Sequence, residues 1–173
     1  MSESNVVIRL AVSEDSPAIQ SILSYYILET TCSWRCQVMN QDETLRWLIS
    51  HMSKEAHRVW VAEIENSVVG YSCLSDFRSP EAYSVCAEDT VYVRPEFSGF
   101  GIGNALMNAI KKQARENDIE TIVAAIDSSN QSSIRFHEKH GFELAGLLRR
   151  VGYKKDRWLD LLLMTYAVHA SSK

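Results

Sequence analysis

The sequence predicts an α/β fold in which helices flank a mixed, mostly antiparallel sheet. Short segments rich in β-branched residues alternate with segments of helical periodicity, and strand–helix–strand units follow an early run of consecutive strands. The predicted order is β-α-α-β-β-β-α-β-α-β-β, without an internal repeat or a linker. At 173 residues, the chain is expected to form a single domain, 1–173, with its core at about 6–168.

One strand and two helices are expected first. Residues 6–12 are mostly β-branched and apolar, which is typical of a short strand. The polar groups of 13–15 can cap a helix, and Pro17 suits its first turn. A second helix is expected over 42–54, after a connection at 29–40. Apolar residues of the first helix recur at helical spacing: Ile19, Ile22, Leu23, Tyr26 and Ile27.

Three consecutive strands are expected in the middle of the chain. Residues 59–64 and 68–77 have strand composition and are joined by a short polar turn at 65–67. A third strand is expected over 83–93. It should end before Pro95, because proline has no N–H group to donate to a strand ladder.

The second half of the chain begins with a glycine-rich loop and an amphipathic helix. A strand follows at 119–126, and a helix at 130–140 is expected to end at Gly141, a usual left-handed stop. Two closing strands are expected at 142–151 and 158–166. The helix after the loop is indicated by apolar residues at i, i+3, i+4, i+7 and i+8: Ile102, Ala105, Leu106, Ala109 and Ile110.

Charge and cysteine usage argue against several kinds of partner. The net charge is −4 and no long Lys/Arg run occurs, so no nucleic-acid partner is expected. The cysteines lack metal-ligand spacing, so no metal is expected, and a chain of this kind should keep free thiols. One basic cluster is interpreted as a solvated hairpin: Arg149, Arg150, Lys154, Lys155 and Arg157.

No membrane partner is expected either. The polar start of the chain lacks the apolar core of a signal peptide, and no apolar run reaches membrane-spanning length. These features predict a cytoplasmic protein.

The glycine-rich loop is the most informative motif. A strand ends at 91–93, and Gly99, Gly101 and Gly103 then lead into a helix. The first amides of a helix have no partner within it, and its dipole favours negative charge at that end. Because glycines allow the backbone to approach a ligand closely, a phosphate or pyrophosphate is the expected guest.

Other interpretations of the loop can be compared with the residues present. A P-loop requires Gly-Lys-Ser/Thr, whereas Gly103-Asn104-Ala105 stands here. A dinucleotide fingerprint needs different glycine spacing in an early βαβ unit. A tight turn without any ligand stays open as an alternative.

The run from 91 to 105 resembles the acetyl-CoA-binding motif of the GCN5-related N-acetyltransferase (GNAT) superfamily, Arg/Gln-x-x-Gly-x-Gly/Ala. Gly101 and Gly103 match that motif. Ser98 replaces its basic or amide residue, and Phe100 stands where Lys or Arg is common. Both departures remove side-chain support but leave the backbone donors in place.

The resemblance extends over nearly the whole chain, to the phosphinothricin/methionine sulfoximine acetyltransferase branch. It implies the GNAT fold, with strands splayed at an acetyl-CoA site, and direct acetylation of the α-amino group of a small amino-acid-like substrate. It therefore implies a single N-acetyltransferase domain. The similar segments are Asp76-Phe77-Arg78-Ser79, Glu88-Asp89-Thr90-Val91-Tyr92-Val93, Asn130-Gln131-Ser132-Ser133-Ile134, His137-Glu138-Lys139-His140-Gly141-Phe142 and Arg157-Trp158-Leu159-Asp160.

Two residues could carry the acid–base chemistry. An ammonium cannot attack a carbonyl, and the resemblance places Glu88 near the acceptor amine, where a carboxylate could take its proton. A surface carboxylate is the alternative, and Asp89 next to it could equally be one. His137 stands where many family members carry a tyrosine near the CoA sulfur, and it could protonate the leaving thiolate. Alternatively, it is a packed or solvated helix histidine.

The resemblance also implies binding residues. Asn130 and Ser133 should contact the pantetheine arm, and Asn130 can also cap its helix. Backbone amides of Val91, Tyr92 and Val93 could bond the thioester oxygen, although these residues equally suit a core strand. The loop residues implied in coenzyme binding are Gly99, Phe100, Gly101, Ile102, Gly103 and Asn104.

The acceptor site is the least defined part. The resemblance suggests that Arg78, with Ala82 and Tyr83, recognises a substrate carboxylate, although Arg78 could also lie in solvent. Trp34, Tyr26 and Phe77 could wall the pocket or simply pack in the core.

Several functional interpretations stay open. The acceptor could be a polyamine, an aminoglycoside or a protein N-terminus, and a CoA-binding sensor or an interaction domain are rivals from other classes. Branch members are commonly homodimers, so a homodimer is expected, and the apolar stretch 159–164 is compatible with one.

Overall fold

The computed structural model describes residues 6–169, which form a seven-stranded sheet with helices on both faces. The strands are β1 Val7–Leu10, β2 Trp60–Ile64, β3 Ser67–Asp76, β4 Cys86–Val93, β5 Thr121–Asp127, β6 Glu143–Lys154 and β7 Arg157–Ala167. The helices are α1 Ser16–Glu29, α2 Gln41–Met52, α3 Ile102–Glu116 and α4 Gln131–Lys139. The strand order is β1-β2-β3-β4-β5-β7-β6, in which β4 and β5 run parallel and the other neighbours pair antiparallel. The predicted α/β class and element order are confirmed.

Turn chemistry explains the two long hairpins. Glu65 and Asn66 between β2 and β3 have positive φ, as do Lys155 and Asp156 between β6 and β7. Paired positive φ values are typical of the two-residue turn whose twist matches antiparallel strands. The prediction of a strand from residue 83 was wrong, because Glu81–Tyr83 forms a 3₁₀ turn and β4 begins at Cys86.

Alternate residues of β3 pack against the two helical layers. Tyr71 and Cys73 belong to the core formed with α1 and α2, whereas Leu74 joins the core formed with α3. At Gly70 a Cβ would lie 2.9 Å from the Tyr92 carbonyl oxygen and 3.2 Å from Leu106 Cδ1. A glycine therefore allows α3 to lie close to the sheet, next to the glycine-rich loop.

The sheet opens between its two central strands. β4 and β5 pair only from Cys86↔Thr121 to Glu88↔Val123. Beyond that point β4 stays paired with β3 as far as Val93, and β5 stays paired with β7 as far as Asp127. The two strands therefore splay after Glu88, as the fold prediction required, and polar backbone groups of both strands become available to a ligand.

Candidate active site

A cavity of about 900 Å³ lies where β4 and β5 diverge. Its wall combines the α1–α2 connection, the second half of β4, the glycine-rich loop, the end of β5 and the first turns of α4. Segments that are distant in sequence thus surround one space.

The glycine-rich loop presents free amides to this cavity. Gly99 and Gly101 have φ of +86° and +81°, a region that favours glycine, and Gly101 is the N-cap of α3. The helix bonding begins with Ala105 N–H donating to Gly101 O at 3.1 Å, so the first three amides, those of Ile102–Asn104, have no partner within the helix. Gly99 and Ile102–Asn104 line the cavity, and the loop is suited to hold an anion there.

Phe100 is placed differently from the other predicted loop residues. Its side chain is 72% exposed, and the part of the cavity wall formed by residues 6–169 does not include it. Only its backbone could contribute to coenzyme binding, because its ring faces solvent. Gly103, which lines the cavity, also has a packing role, since a Cβ there would lie 3.3 Å from the Phe136 ring.

The open edge of β4 directs further amides towards the cavity. Arg94 N–H donates to Val69 O at 2.8 Å on the β3 side. N–H groups point to alternate sides along a strand. The N–H group of Tyr92 therefore points towards β3, whereas the N–H groups of Val91 and Val93 point to the side from which β5 has diverged. The carbonyl of Val93 on that open side accepts a hydrogen bond from the Tyr26 hydroxyl at 2.5 Å. Two of the three predicted strand amides therefore point into the opening.

Glu88 lies at the apex of the splay. It is the last β4 residue paired with β5, it is half-buried, and it lines the cavity. Burial raises the pKa of its carboxyl group, and the neighbouring charge of Asp89 raises it further. A carboxylate whose pKa is shifted towards neutral is a better proton acceptor at physiological pH than an exposed one.

His137 is buried against the same opening. Its Nε2 lies 3.1 Å from Asp89 Oδ2, and its Nδ1 lies 2.7 Å from the backbone oxygen of Ser133. Burial acts to lower the pKa of this imidazole, but the Asp89 carboxylate and the Ser133 backbone oxygen together outweigh burial, and the pKa is raised overall. Asp89 is therefore not a surface carboxylate; its side chain is 4% exposed and it also lines the cavity.

Asn130 begins α4, as predicted. Its side-chain oxygen accepts hydrogen bonds from Ser133 N–H at 3.1 Å and from the Ser132 hydroxyl at 2.8 Å, so capping is confirmed. Its amide nitrogen donates to Cys32 Sγ at 3.2 Å and so ties α4 to the α1–α2 connection. Asn130 and Ser133 both line the cavity.

The α1–α2 connection forms one wall and is held by the β6–β7 hairpin. Buried Lys154 donates a hydrogen bond from Nζ to the Ser33 backbone oxygen at 2.6 Å. Arg157 donates one from Nη2 to Asp127 Oδ2 at 2.7 Å. A Cβ at Gly152 would overlap the Trp34 ring. The basic cluster is therefore not simply a solvated hairpin, because Lys154 and Arg157 fasten one wall of the cavity.

The predicted acceptor-site residues lie elsewhere. Within residues 6–169, Arg78, Ala82 and Tyr83 are not part of the cavity wall. The Arg78 guanidinium lies 5.2 Å from the centroid of the Phe77 ring, and Phe77 and Tyr83 form an edge-to-face pair with centroids 5.8 Å apart. Of the aromatic residues considered for the wall, Tyr26 and Trp34 line the cavity and Phe77 does not. Sequence reasoning missed Arg35, which does line it.

Neither a metal cluster nor a membrane-spanning helix is found in the described part of the chain. Residues 6–169 contain no group of three or more His, Cys, Asp or Glu side chains placed to hold a metal ion. Over the same residues, no helix combines the length and the apolar character needed to cross a membrane.

Known proteins resemble this chain over most of its length. The profile of the Acetyltransferase (GNAT) family matches residues 20–142. The chain is 33% identical to the L-amino acid N-acyltransferase MnaT of Escherichia coli, with 91% of each chain covered. It is also 33% identical to the L-methionine sulfoximine/L-methionine sulfone acetyltransferase of Salmonella typhimurium, with 92% of each covered.

A solved structure shows the same fold with the coenzyme present. The phosphinothricin acetyltransferase of Sinorhizobium meliloti, solved in complex with acetyl-CoA, superposes with a TM-score of 0.89 and 30% identity. The match covers 94% of this chain and 88% of that one. The family profile, the identity over most of the chain and the shared fold agree, and the chain belongs to the GNAT acetyltransferase family.

Proposed function

We propose that this protein transfers the acetyl group of acetyl-CoA directly to the α-amino group of a small amino-acid-like substrate. The observation that carries the proposal is the shared cavity, which joins the free amides of the glycine-rich loop to Glu88 at the apex of the splay. Relatives act on methionine sulfoximine and methionine sulfone, and a structural neighbour is a phosphinothricin acetyltransferase. We propose acceptors of this type, each an α-amino acid with a polar head.

The backbone supplies the coenzyme contacts in this proposal. The amides of Ile102, Gly103 and Asn104 would hold the pyrophosphate, where the α3 dipole also favours negative charge. Asn130 and Ser133 would contact the pantetheine arm from the start of α4. Acetyl-CoA supplies an activated acyl group as a thioester. The N–H groups of Val91 and Val93 would stabilise the charge that develops on the thioester oxygen.

Two side chains would move protons. Glu88 accepts a proton from the attacking amine, directly or through water, and its half-buried position supports that role. His137 gives a proton to the departing thiolate, and the Asp89 carboxylate beside it raises its pKa and so favours the protonated ring. Neither role requires a metal.

Recognition of the acceptor carboxylate is a separate proposal for Arg78, with Ala82 and Tyr83. We expect Arg78→Ala to raise KM for amino-acid acceptors by about tenfold, because a charge-assisted bond to a carboxylate contributes about 1.5–3 kcal/mol. KM for the matching amines without a carboxylate should not change. Steady-state kinetics with such acceptor pairs measures the difference.

Arg35→Ala is the matched variant for that experiment, since Arg35 lines the cavity and Arg78 does not. An equal loss on both kinds of acceptor would contradict the assignment of Arg78. Loss of carboxylate selectivity in Arg35→Ala alone would place carboxylate recognition on the α1–α2 connection.

We also propose that the protein is a homodimer. The edge strand β6, rather than the apolar stretch 159–164 in the interior strand β7, carries the exposed apolar side chains that support this: Leu144, Leu147, Leu148 and Val151. Light scattering of the purified chain tests the proposal. The cytoplasmic location and the absence of metal, nucleic-acid and membrane partners stay predictions.

An acceptor screen tests the main proposal. Purified protein should release CoA thiol from acetyl-CoA in the presence of methionine sulfoximine, methionine sulfone or phosphinothricin. Release with polyamines or aminoglycosides alone would favour the rival acceptor class. Binding of acetyl-CoA without thiol release for any amine would indicate a coenzyme-binding sensor.

A further inference from the structure

Asp89 and His137 form a buried pair across the opening of the sheet. Asp89 directly follows the last β4 residue that pairs with β5, and His137 lies on α4, the helix that follows β5. Their facing atoms are 3.1 Å apart, and their side chains are only 4% and 8% exposed. Both residues line the cavity, so the pair lies within the proposed reaction site.

The contacts of the ring determine how many protons it carries. The backbone oxygen of Ser133 can only accept a hydrogen bond, so His137 Nδ1 at 2.7 Å must carry a hydrogen. On the other side, His137 Nε2 faces a carboxylate oxygen, and that contact is favourable only when a proton lies between them. The pair therefore holds one proton more than a neutral histidine beside an ionised aspartate.

We propose that Asp89 is a positioning residue for acetyl transfer, which fixes the His137 ring and retains the proton that the pair delivers to the departing thiolate. This proposal rests on the proposed function. The amine nitrogen forms a bond to the acetyl carbon, and its proton passes to Glu88. As the carbon–sulfur bond breaks, sulfur keeps that electron pair and takes the proton from the Asp89–His137 pair. Solvent then removes a proton from Glu88 and returns one to the pair, so the step balances.

The surroundings of the pair contain few competing charges. The other titratable groups that act on the pair or are acted on by it are Glu88 on β4, Cys73 on β3 and His140 on α4. Lys139 on α4 and Lys111 on α3 act on His140. The buried thiol of Cys73 has its pKa raised to about 12 and stays neutral. Asp89 is the carboxylate that contacts the His137 ring, so its removal should act directly on that ring.

A second histidine–aspartate contact in the protein shows how exposure of the aspartate changes the effect on the histidine pKa. His57 Nε2 lies 3.3 Å from Asp76 Oδ1, but the Asp76 side chain is 61% exposed. There burial outweighs the carboxylate, and the pKa of His57 is lowered. Asp76 lies outside the cavity wall, so Asp76→Asn removes a carboxylate from a histidine without changing the proposed site.

The test compares Asp89→Asn with Asp76→Asn in the full chain. Asparagine keeps the shape and an acceptor oxygen but removes the charge. NMR titration of the protein without ligand should show a lower His137 pKa in Asp89→Asn and an unchanged one in Asp76→Asn. We expect kcat of Asp89→Asn to be about tenfold below wild type near pH 8, because without the carboxylate a smaller fraction of His137 carries the proton. KM for acetyl-CoA should stay within about twofold.

The pH dependence separates proton retention from simple packing. At low pH His137 is protonated in both proteins, so the ratio of wild-type to Asp89→Asn kcat should fall to one or below as the pH falls. Values below one are expected because the loss of Asp89 also lowers the Glu88 pKa. A ratio that stays constant with pH, or an unchanged His137 titration, would overturn the proposal. Asp89→Glu restores the carboxylate and should recover the wild-type profile. If wild type transfers no acetyl group, the proposed function fails, whereas the titration still reports on the pair.

Discussion

Glu88→Gln is expected to lower kcat by about 10²- to 10⁴-fold, the range typical of a lost general base. Glutamine has nearly the same shape but cannot accept the proton of the attacking amine. KM for acetyl-CoA should change little, because we propose that the coenzyme is held by the α3 amides and the β4 edge rather than by Glu88. Steady-state kinetics on both substrates measures the effect.

The pH dependence of kcat is a second test of the role of Glu88. The pKa of Glu88 is raised by burial and then by Asp89, so wild-type activity should fall as the pH drops through that raised value. Glu88→Gln should lack this acidic limb. A carboxyl group whose pKa is higher in the folded than in the unfolded protein stabilises the fold below the unfolded-state pKa. That stabilisation is lost as the pH rises through the folded-state pKa. Near pH 8 it is absent, so Glu88→Gln should not be less stable than wild type there.

Glu116→Gln, on the exposed end of α3, is the matched control and should retain full activity. If Glu88→Gln keeps kcat within about fivefold of wild type, the base must be another group or a water held elsewhere in the cavity.

Gly101→Val is expected to weaken CoA binding by about 10- to 100-fold. Gly101 has φ of +81°, and a β-branched residue there costs about 1–3 kcal/mol of strain. Relief of that strain would turn the amides of Ile102 and Gly103 away from the cavity, and each 1.4 kcal/mol lost weakens binding tenfold. Isothermal titration calorimetry with CoA measures the change, with a thermal melt to confirm folding.

Gly101→Asn separates conformation from bulk at the same position. Asparagine tolerates the left-handed region, and nothing lies within 4 Å of a Cβ built there. The asparagine variant should therefore bind CoA nearly as wild type does. Equal loss in both variants would mean that the coenzyme approaches the backbone too closely for any side chain. If both variants bind CoA with wild-type affinity, the glycine-rich loop does not contribute to CoA binding.

Local patterns in the sequence were sufficient to predict the order of the elements and to single out the glycine-rich loop. Helical spacing predicted α3, Gly141 was correctly expected to end α4 with positive φ, and Asn130 was correctly expected to cap it. These features depend on residues within one or two turns of each other. For the same reason, the glycine-rich loop could be interpreted from its own residues and those of the helix that follows it.

The roles of Asp89, Lys154 and Arg157 could not be predicted in this way. From the sequence, Asp89 was indistinguishable from a surface carboxylate, and the basic cluster was interpreted as solvated. Asp89 meets His137 across 48 residues of chain, and Lys154 meets Ser33 across 121. A charged side chain becomes buried only when the fold brings it a partner, and the composition of its own segment does not reveal that partner.

The sequence by itself determined the α/β class and the element order, because both follow from local periodicity and composition. Its motifs carried the family resemblance, and its glycine spacing led to the prediction of an anion site at the start of α3. Only the tertiary structure decided that Glu88 lies at the apex of the splay, that Asp89 and His137 form a buried pair, and that Arg78 lies outside the cavity wall formed by residues 6–169. The physical reason is that burial and charge pairing depend on which distant segments the folded sheet brings together.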